Sequence, residues 1–295
     1  MKTCLVFPGQ GSQSPGMGKS YYDSYPEVRD VLTKGSYVTD RDLADLCFNS
    51  EPEYLNRTEN AQLAIFAISA ALFALVDGKG VKFDALAGFS LGECTALYAS
   101  GMISLEDAFR LVQQRGVLMQ QAADSGMGAM CAVLGLDGNT IKALAAGTEA
   151  EPVNFNCPGQ VVISGTPKGI ELLSSRCKEA GAKRIVPLTL SGAFHTNAMA
   201  TAAQKLSETA KAFKSSPMGI AVYTNLTGFP LAPDTSLSEH LSEHMQSPVL
   251  WQSTIENLIS DGIASFVEVG AGNTLSRFIS KTSKNATVTL LEELI

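Results

Sequence analysis

The stretch ALAGFSLGECTALYASG, residues 85–101, places a serine in a Gly-x-Ser-x-Gly frame made of Gly88, Ser90 and Gly92. A short apolar run stands before it. The residues after it, LGECTALYAS, form a helical pattern that stops at Gly101, a residue type common just past a helix end. Strand, turn and helix in that order would expose Ser90 at the edge of a sheet, on a helix N-terminus that favours developing negative charge. The frame alone is short enough to occur by chance, so two readings stand at this point: a nucleophile on a strained turn, or an ordinary serine between two glycines.

Working outward, the segments on either side read as mixed α/β. CLVF (Cys4–Phe7) is a first strand, because its apolar run breaks at Pro8 and is too short for a signal-peptide core. AQLAIFAISAALFALV, residues 61–76, is apolar nearly all round and is expected as a buried helix. From GAMCAVLGL onward the pattern changes. That segment, then DGNTIKALAAG, PVNFN, QVVISG, PKGIELLSSRCKEAG and KRIVPLTL, read as strand, helix, strand, strand, helix, strand, with CPG turning between the middle strands. This is the order of a ferredoxin-like unit. GIAVYTN and SFVEVGAG then return as strands among helices. A chain of 295 residues exceeds the size at which single cores divide. The expected division is a large subdomain of residues 1–125 and 191–295 with a small one, 126–190, inserted.

Composition narrows the class. With 45% apolar and 17% charged residues the chain is globular, and no run is expected to approach the ~18 apolar residues of a membrane span, so no membrane association is expected. Net charge −7 argues against nucleic acid as a partner. The six cysteines form no C-x-x-C pair and sit in apolar patterns, as thiols of a reducing compartment do, which points to the cytoplasm.

A serine nucleophile needs a base, and there are three histidines: His195, His240 and His244. His195, in LSGAFHTNAM, follows a strand and precedes a helix expected from about Asn197; a helix N-terminus would keep its ring uncharged and available as a base. A loop histidine with a satisfied hydrogen bond is the alternative. HLSEH, residues 240–244, matches the H-x-x-E-H zinc pattern, although any histidine pair on a polar helix would match it too.

Arg115 lies in SLEDAFRLVQQRGVLMQQAAD, where Ser104 and Asp107 form a capping signature and Ala108, Leu111, Val112, Leu118, Met119 and Ala122 form an apolar stripe. Arg115 fills the gap in that stripe. It either faces inward to meet a carboxylate or lies at the margin with its head in water. FPGQGSQSPGMG, residues 7–18, lacks the P-loop lysine and G-x-G-x-x-G, so a backbone turn offering N–H groups to a reacting oxygen fits it better than a nucleotide site.

Taken together, FPGQGSQ, GFSLGE, QRGVLMQ, NFNCPGQVVISG, GAFHT and SPVLW, in this order over nearly the whole chain, resemble the malonyl-CoA:acyl carrier protein transacylases of fatty-acid synthesis. The resemblance implies an α/β-hydrolase-like large subdomain with an inserted ferredoxin-like small one. It makes Ser90 the nucleophile, His195 its base and Arg115 the partner of the malonyl carboxylate. Gln10 and Leu91 match the backbone donors of the oxyanion hole, Gln62 a polar residue by the acyl pocket, and Asn156 and Gln160 the pantetheine entrance. His244 matches the position whose backbone carbonyl orients the catalytic histidine. Phe194 resembles the malonyl-selective pattern, in which a bulky side chain leaves little room for an α-methyl group. One position departs: Phe89 stands where the family usually has histidine.

The resemblance implies malonyl-CoA and acyl carrier protein as partners, a monomeric enzyme, and no cofactor or metal. Two rivals stand beside it. A general serine esterase would use Ser90 and His195 but expects an acidic third member, and a non-catalytic carrier-binding module would never acquire an acyl group on Ser90.

Overall fold

The structure is a computed structural model that describes residues 1–126, 128–189 and 192–294. The expected return from the small to the large subdomain, at 190/191, lies outside the described residues.

The chain starts with β1 (Lys2–Phe7), then α1 (Lys19–Ser24), α2 (Pro26–Thr39), α3 (Leu43–Phe48), α4 (Pro52–Leu55) and α5 (Thr58–Gly78). β2 (Ala85–Gly88), α6 (Leu91–Ala99) and α7 (Leu105–Asp124) follow. The second group is β3 (Ala129–Leu134), α8 (Gly138–Leu144), β4 (Ala150–Cys157), β5 (Gln160–Gly165), α9 (Pro167–Glu179) and β6 (Arg184–Pro187). The chain closes with α10 (Ala200–Ala210), β7 (Ala221–Tyr223), α11 (Leu237–Gln246), α12 (Trp251–Ser260), β8 (Ile263–Glu268), α13 (Thr274–Thr282) and β9 (Thr287–Leu290).

Two separate sheets result. Five strands pair in parallel in the order β7-β2-β1-β8-β9, so the first strand lies at the centre. Successive residues of β1 point to opposite faces: Leu5 and Phe7 join one apolar cluster, Cys4 and Val6 another, as a sheet covered on both sides requires. The other four strands are antiparallel in the order β4-β5-β3-β6, with Gly159 at φ 72° turning β4 into β5 where CPG was expected to turn. β4 is also tied to the chain beyond α11. Val249 N–H donates to the Val153 carbonyl at 2.7 Å and Phe155 N–H to the Val249 carbonyl at 2.9 Å.

α5 requires a correction to the membrane argument. The most apolar 18-residue window of this 21-residue helix has a mean hydropathy of 1.8, so it passes for a span by length and composition. Here it is a core helix, buried from Thr58 through Phe73 apart from one position and packed along α7 and α2. A helix apolar on every side needs partners on every side, and this one has them.

Candidate active site

Two glycines make the turn after β2 possible. A Cβ on Gly88 would come within 2.0 Å of the Gly92 backbone, and one on Gly92 within 2.0 Å of the Phe7 carbonyl oxygen. No larger residue lets strand and helix approach so closely. Between them Ser90 takes φ 50° and ψ −105°, a conformation that non-glycine residues adopt only where the surroundings enforce it. Ser90 is 9% exposed and stands at the N-cap of α6.

The buried ring of His195 meets it. Nε2 lies 2.8 Å from Ser90 Oγ, and Nδ1 lies 3.0 Å from the Ser247 carbonyl oxygen. A carbonyl can only accept, so Nδ1 carries the hydrogen and Nε2 presents its lone pair to the hydroxyl. Burial, then the neighbouring charges of His244 and Arg115, hold the imidazole down at about 3, against the pull of the Ser247 and His244 carbonyls. The ring is therefore neutral at neutral pH. His195 itself has φ 61°, a second strained residue facing the first.

Arg115 is 1% exposed, so the inward reading of the apolar stripe is the correct one. Ser104 caps the helix as its pattern indicated, accepting from the Asp107 N–H at 3.1 Å. Nη1 of Arg115 donates to Gln62 Oε1 at 2.6 Å and Nη2 to Ser90 Oγ at 3.3 Å. Among the described residues no carboxylate lies within ion-pair distance of it. Burial lowers its pKa, and the more distant Cys94 and Glu93 oppose that without outweighing it.

Gln62 links the guanidinium to the first loop through Gln10 Oε1, at 3.4 Å, and Gln10 Nε2 in turn donates to Thr58 Oγ1 at 3.2 Å. Gly9 is pressed against the turn, for a Cβ there would stand 2.4 Å from the Phe89 carbonyl oxygen. Leu91 is buried as the first residue of α6. Ser90, His195, Arg115, Gln62 and Gln10 thus form one hydrogen-bonded cluster, drawn from five separate stretches of chain.

Other expected residues stand apart from it. Phe194 is buried in the main apolar cluster. Asn156 is buried with its Oδ1 unpartnered, and Gln160 accepts from Lys281 Nζ at 3.3 Å on the wall of an open cavity of about 680 Å³ that Arg277 and Phe278 also line. None of the three shares a hydrogen bond with Ser90 or His195. Phe89 packs edge-on to Trp251, ring centroids 5.7 Å apart, and against Phe278 at 6.2 Å. Apolar packing fills the place where a histidine was expected.

The Ser247 carbonyl lies 3.0 Å from His195 Nδ1, and the His244 backbone, where the resemblance places the orienting carbonyl, is a second backbone hydrogen-bonding influence on the same ring. The His244 side chain faces Glu93, 3.5 Å from Oε2, while His240 Nε2 lies 2.5 Å from Oε1. The HLSEH pair therefore does share a face, and that face is occupied by a carboxylate. No group of three or more metal-ligating side chains is gathered for an ion among the described residues.

The sequence also pointed to neither Glu93 nor Asn225. Glu93 accepts from Thr224 Oγ1 at 3.0 Å and from the Asn225 N–H at 2.7 Å. Burial alone would raise its carboxyl, but the two histidines and the Asn225 N–H outweigh that and hold it at about 2. The available signal was the acid in GFSLGE, which in a first helical turn looks like a dipole partner until its burial is known.

A histidine whose Nε2 faces a serine hydroxyl on a strained strand-to-helix turn is equipped for acyl transfer, and the chain matches the acyl transferase domain family over residues 4–294. It is an acyltransferase. A malonyl CoA-acyl carrier protein transacylase of Bacillus subtilis is 38% identical over 96% of this chain and 91% of its own. The crystal structure of an acyl carrier protein S-malonyltransferase from Vibrio cholerae superposes with TM-score 0.93 at 35% identity, covering 98% of this chain and 96% of that one. A malonyl-transacylase in complex with a holo type II polyketide acyl-carrier protein gives TM-score 0.93 at 34% identity, with the same coverage. The chain belongs to the malonyl CoA-acyl carrier protein transacylase family.

Proposed function

We propose that this enzyme moves the malonyl group of malonyl-CoA to the phosphopantetheine thiol of acyl carrier protein, for fatty-acid synthesis, through a malonyl-Ser90 intermediate. In the first half-reaction His195 Nε2 takes the hydroxyl proton as Ser90 Oγ attacks the thioester carbonyl. Backbone N–H groups of Gln10 and Leu91 hold the oxyanion until the C–S bond breaks and CoA leaves with the proton. In the second, the carrier thiol gives its proton to His195 and attacks the ester, and Ser90 leaves as the hydroxyl. A thioester is already activated and both half-reactions move only protons and an acyl group, so the chemistry calls for no metal or redox cofactor.

The observation that carries this reading is Arg115, buried beside the nucleophile without a carboxylate partner. A guanidinium meets a carboxylate with two parallel hydrogen bonds, and malonyl brings one on the carbon next to the reacting carbonyl. A general esterase would not need a buried cation there. Phe194, Asn156 and Gln160 are assigned to acyl selectivity and the pantetheine path by family resemblance alone.

The β-α-β-β-α-β order with strands β4-β5-β3-β6 supports an inserted ferredoxin-like subdomain, 126–190, in an α/β-hydrolase-like one, 1–125 and 191–295. Six free buried thiols support a cytoplasmic location, and we take the enzyme to act as a monomer without membrane or nucleic-acid partners. The test is acyl-enzyme mass spectrometry with a panel of acyl-CoAs. Malonyl is expected on Ser90, and its passage to a thiol rather than to water separates a transacylase from an esterase; an unmodified Ser90 would overturn the reading.

A further inference from the structure

Asn225 is completely buried, two residues beyond the end of β7, and each of its polar groups is engaged, three of the four at the turn and first helical turn that carry Ser90 and Glu93. Its backbone N–H donates to Glu93 Oε2 at 2.7 Å, and its carbonyl accepts from the Leu250 N–H at 2.9 Å. Its side chain does something less ordinary. Oδ1 accepts from the Ser90 N–H at 2.7 Å, and Nδ2 donates to the Gly88 carbonyl at 2.7 Å.

β7 pairs with β2 up to Tyr223 opposite Ala87, where the ladder ends. The next backbone groups of β2 that a strand would satisfy are supplied with partners by the Asn225 side-chain amide, whose acceptor and donor copy a peptide unit. The two groups it bridges flank Phe89 and adjoin the strained φ and ψ of Ser90. A single planar amide therefore closes a ring around the part of the chain with the greatest need of restraint.

The amide is itself held from below. Glu93, in the first turn of α6, binds the Asn225 N–H and Thr224 Oγ1 and is engaged by His240 and His244, the last of which also lies 3.4 Å from Asn225 Oδ1. Glu93 N–H donates to the Ser90 carbonyl at 3.1 Å. Glu93 is thus tied to the turn by its backbone N–H and to Asn225 by its buried carboxylate.

We propose that Asn225 is a positioning residue of the acyl transfer, fixing the rotation of Ser90 that aims Oγ at His195 and turns the Leu91 N–H toward the oxyanion, with Glu93, His240 and His244 holding the amide in place. This rests on Ser90 being the acylated nucleophile. Asn225 contributes to the geometry of the transition state and touches no substrate, so its loss acts on kcat rather than on KM.

The experiment compares wild type, Asn225→Ala and Asn225→Asp, each scored for folded protein by its melting curve. Two rates are read: malonyl transfer, and labelling of Ser90 by a fluorophosphonate, which needs an aimed serine but no malonyl recognition. Asn225→Ala is expected to slow both by ~10²-fold, the scale of a 1 Å misplacement, while KM for malonyl-CoA stays within threefold. Asn225→Asp keeps the acceptor for the Ser90 N–H and loses the donor to Gly88. Its carboxyl would face Glu93 and His244, with His240, His195, Arg115 and Cys94 around them, a buried acid beside an anion whose protonation is favoured. Its labelling rate relative to wild type is expected to recover at least fivefold between pH 8 and pH 6, as the protonated acid regains an O–H donor.

Asn225→Ala within threefold of wild type in labelling would overturn the proposal. So would Asn225→Asp tracking the wild-type pH profile, and that variant decides if Asn225→Ala does not fold. Wild type that reacts with the fluorophosphonate but never carries malonyl would overturn the proposed function and leave Asn225 as the positioning residue.

Discussion

Nη2 of Arg115 stands 3.3 Å from Ser90 Oγ, with the rest of the guanidinium buried and its other arm held by Gln62 at 2.6 Å. One Nη2 hydrogen bond to a hydroxyl is poor compensation for a desolvated cation. Binding a malonyl carboxylate would supply the missing partner, and a neutral acyl group would not. Arg115→Ala should therefore lower kcat/KM for malonyl-CoA strongly while acetyl-CoA gains relative to it, so that the ratio of the two falls by ~10² or more, as loss of a charged hydrogen-bonded pair of about 3 kcal/mol implies. Arg115→Lys should restore only part of the ratio, because an ammonium cannot repeat the two-pronged contact. A ratio unchanged in both variants, with overall activity reduced, would make Arg115 structural.

The proton chemistry at His195 gives a second prediction. Ser90→Ala should abolish the acyl-enzyme, and His195→Ala should slow acylation by ~10² to 10⁴ without unfolding the protein. With the free imidazole held at about 3, kcat/KM for malonyl-CoA should show no acid limb near 6.5. Arg115 is one of the charges that depress this ring. A bound malonyl carboxylate neutralises that charge, so the limb in kcat should lie at higher pH than the limb in kcat/KM, and acetyl-CoA should not produce the displacement. Coincident limbs for both donors would remove the coupling between Arg115 and His195.

How much of this was legible beforehand follows from the range of each interaction. The segments of the antiparallel sheet, the buried α5 and the Ser104 cap are set by patterns within ten or twenty residues, and they appear where the sequence indicates them. β9 was not anticipated, since TVTL is only four residues long and partly buried at a sheet edge, too short to show a periodicity. Ser90, His195 and Arg115 each carried a local signal: a glycine frame, a helix start, a gap in a stripe. Asn225 and Ser247 carried none, and Glu93 only the ambiguous one of an acid in a first helical turn, because what makes them matter is a partner between 52 and 135 residues away. His240 and His244 were visible as a pair, but a pair on one helix face does not reveal that it points at a carboxylate.

Docking of the carrier gives a third prediction. Lys178, Lys183 and Arg184 are exposed, whereas Arg176 of the same basic run is engaged by the Leu144 and Ala146 carbonyls at 2.8 and 2.7 Å. Arg184 pairs across β3 with Leu134, and Leu134 pairs with Gln160, so the exposed basic end of β6 lies two strands from the Gln160 and Lys281 cavity wall. If an acidic carrier protein is steered there, transfer to it should decline with ionic strength more steeply than transfer to free pantetheine. Charge reversal at Lys183 and Arg184 should flatten the first slope and leave the second alone. Equal slopes in wild type would exclude this surface.

Stability against pH tests the buried imidazoles without any substrate. His195 and His244 are held at about 3 and about 4, below the usual 6.5, with burial the largest cause in both. Folded pKa values below the unfolded ones mean that the unfolded chain takes up more protons, so stability rises with pH through this interval and is lost as pH falls from about 6.5 toward 4. At pH 5 each ring accounts for up to about 2 kcal/mol, from 1.4 kcal/mol per unit over roughly one and a half units. Glu93, held at about 2 against the usual 4.5, adds its own loss only below about pH 4.5. The melting temperature should therefore drop between pH 7.5 and 5, before the carboxylates titrate. Asparagine or glutamine at 195 and 244 together should flatten that part of the curve and leave the steeper fall below pH 4.5 in place. A wild-type melting temperature that is constant from pH 7.5 to 5 would mean that both rings accept protons in the folded enzyme, and His195 could not then be the uncharged base that its geometry describes.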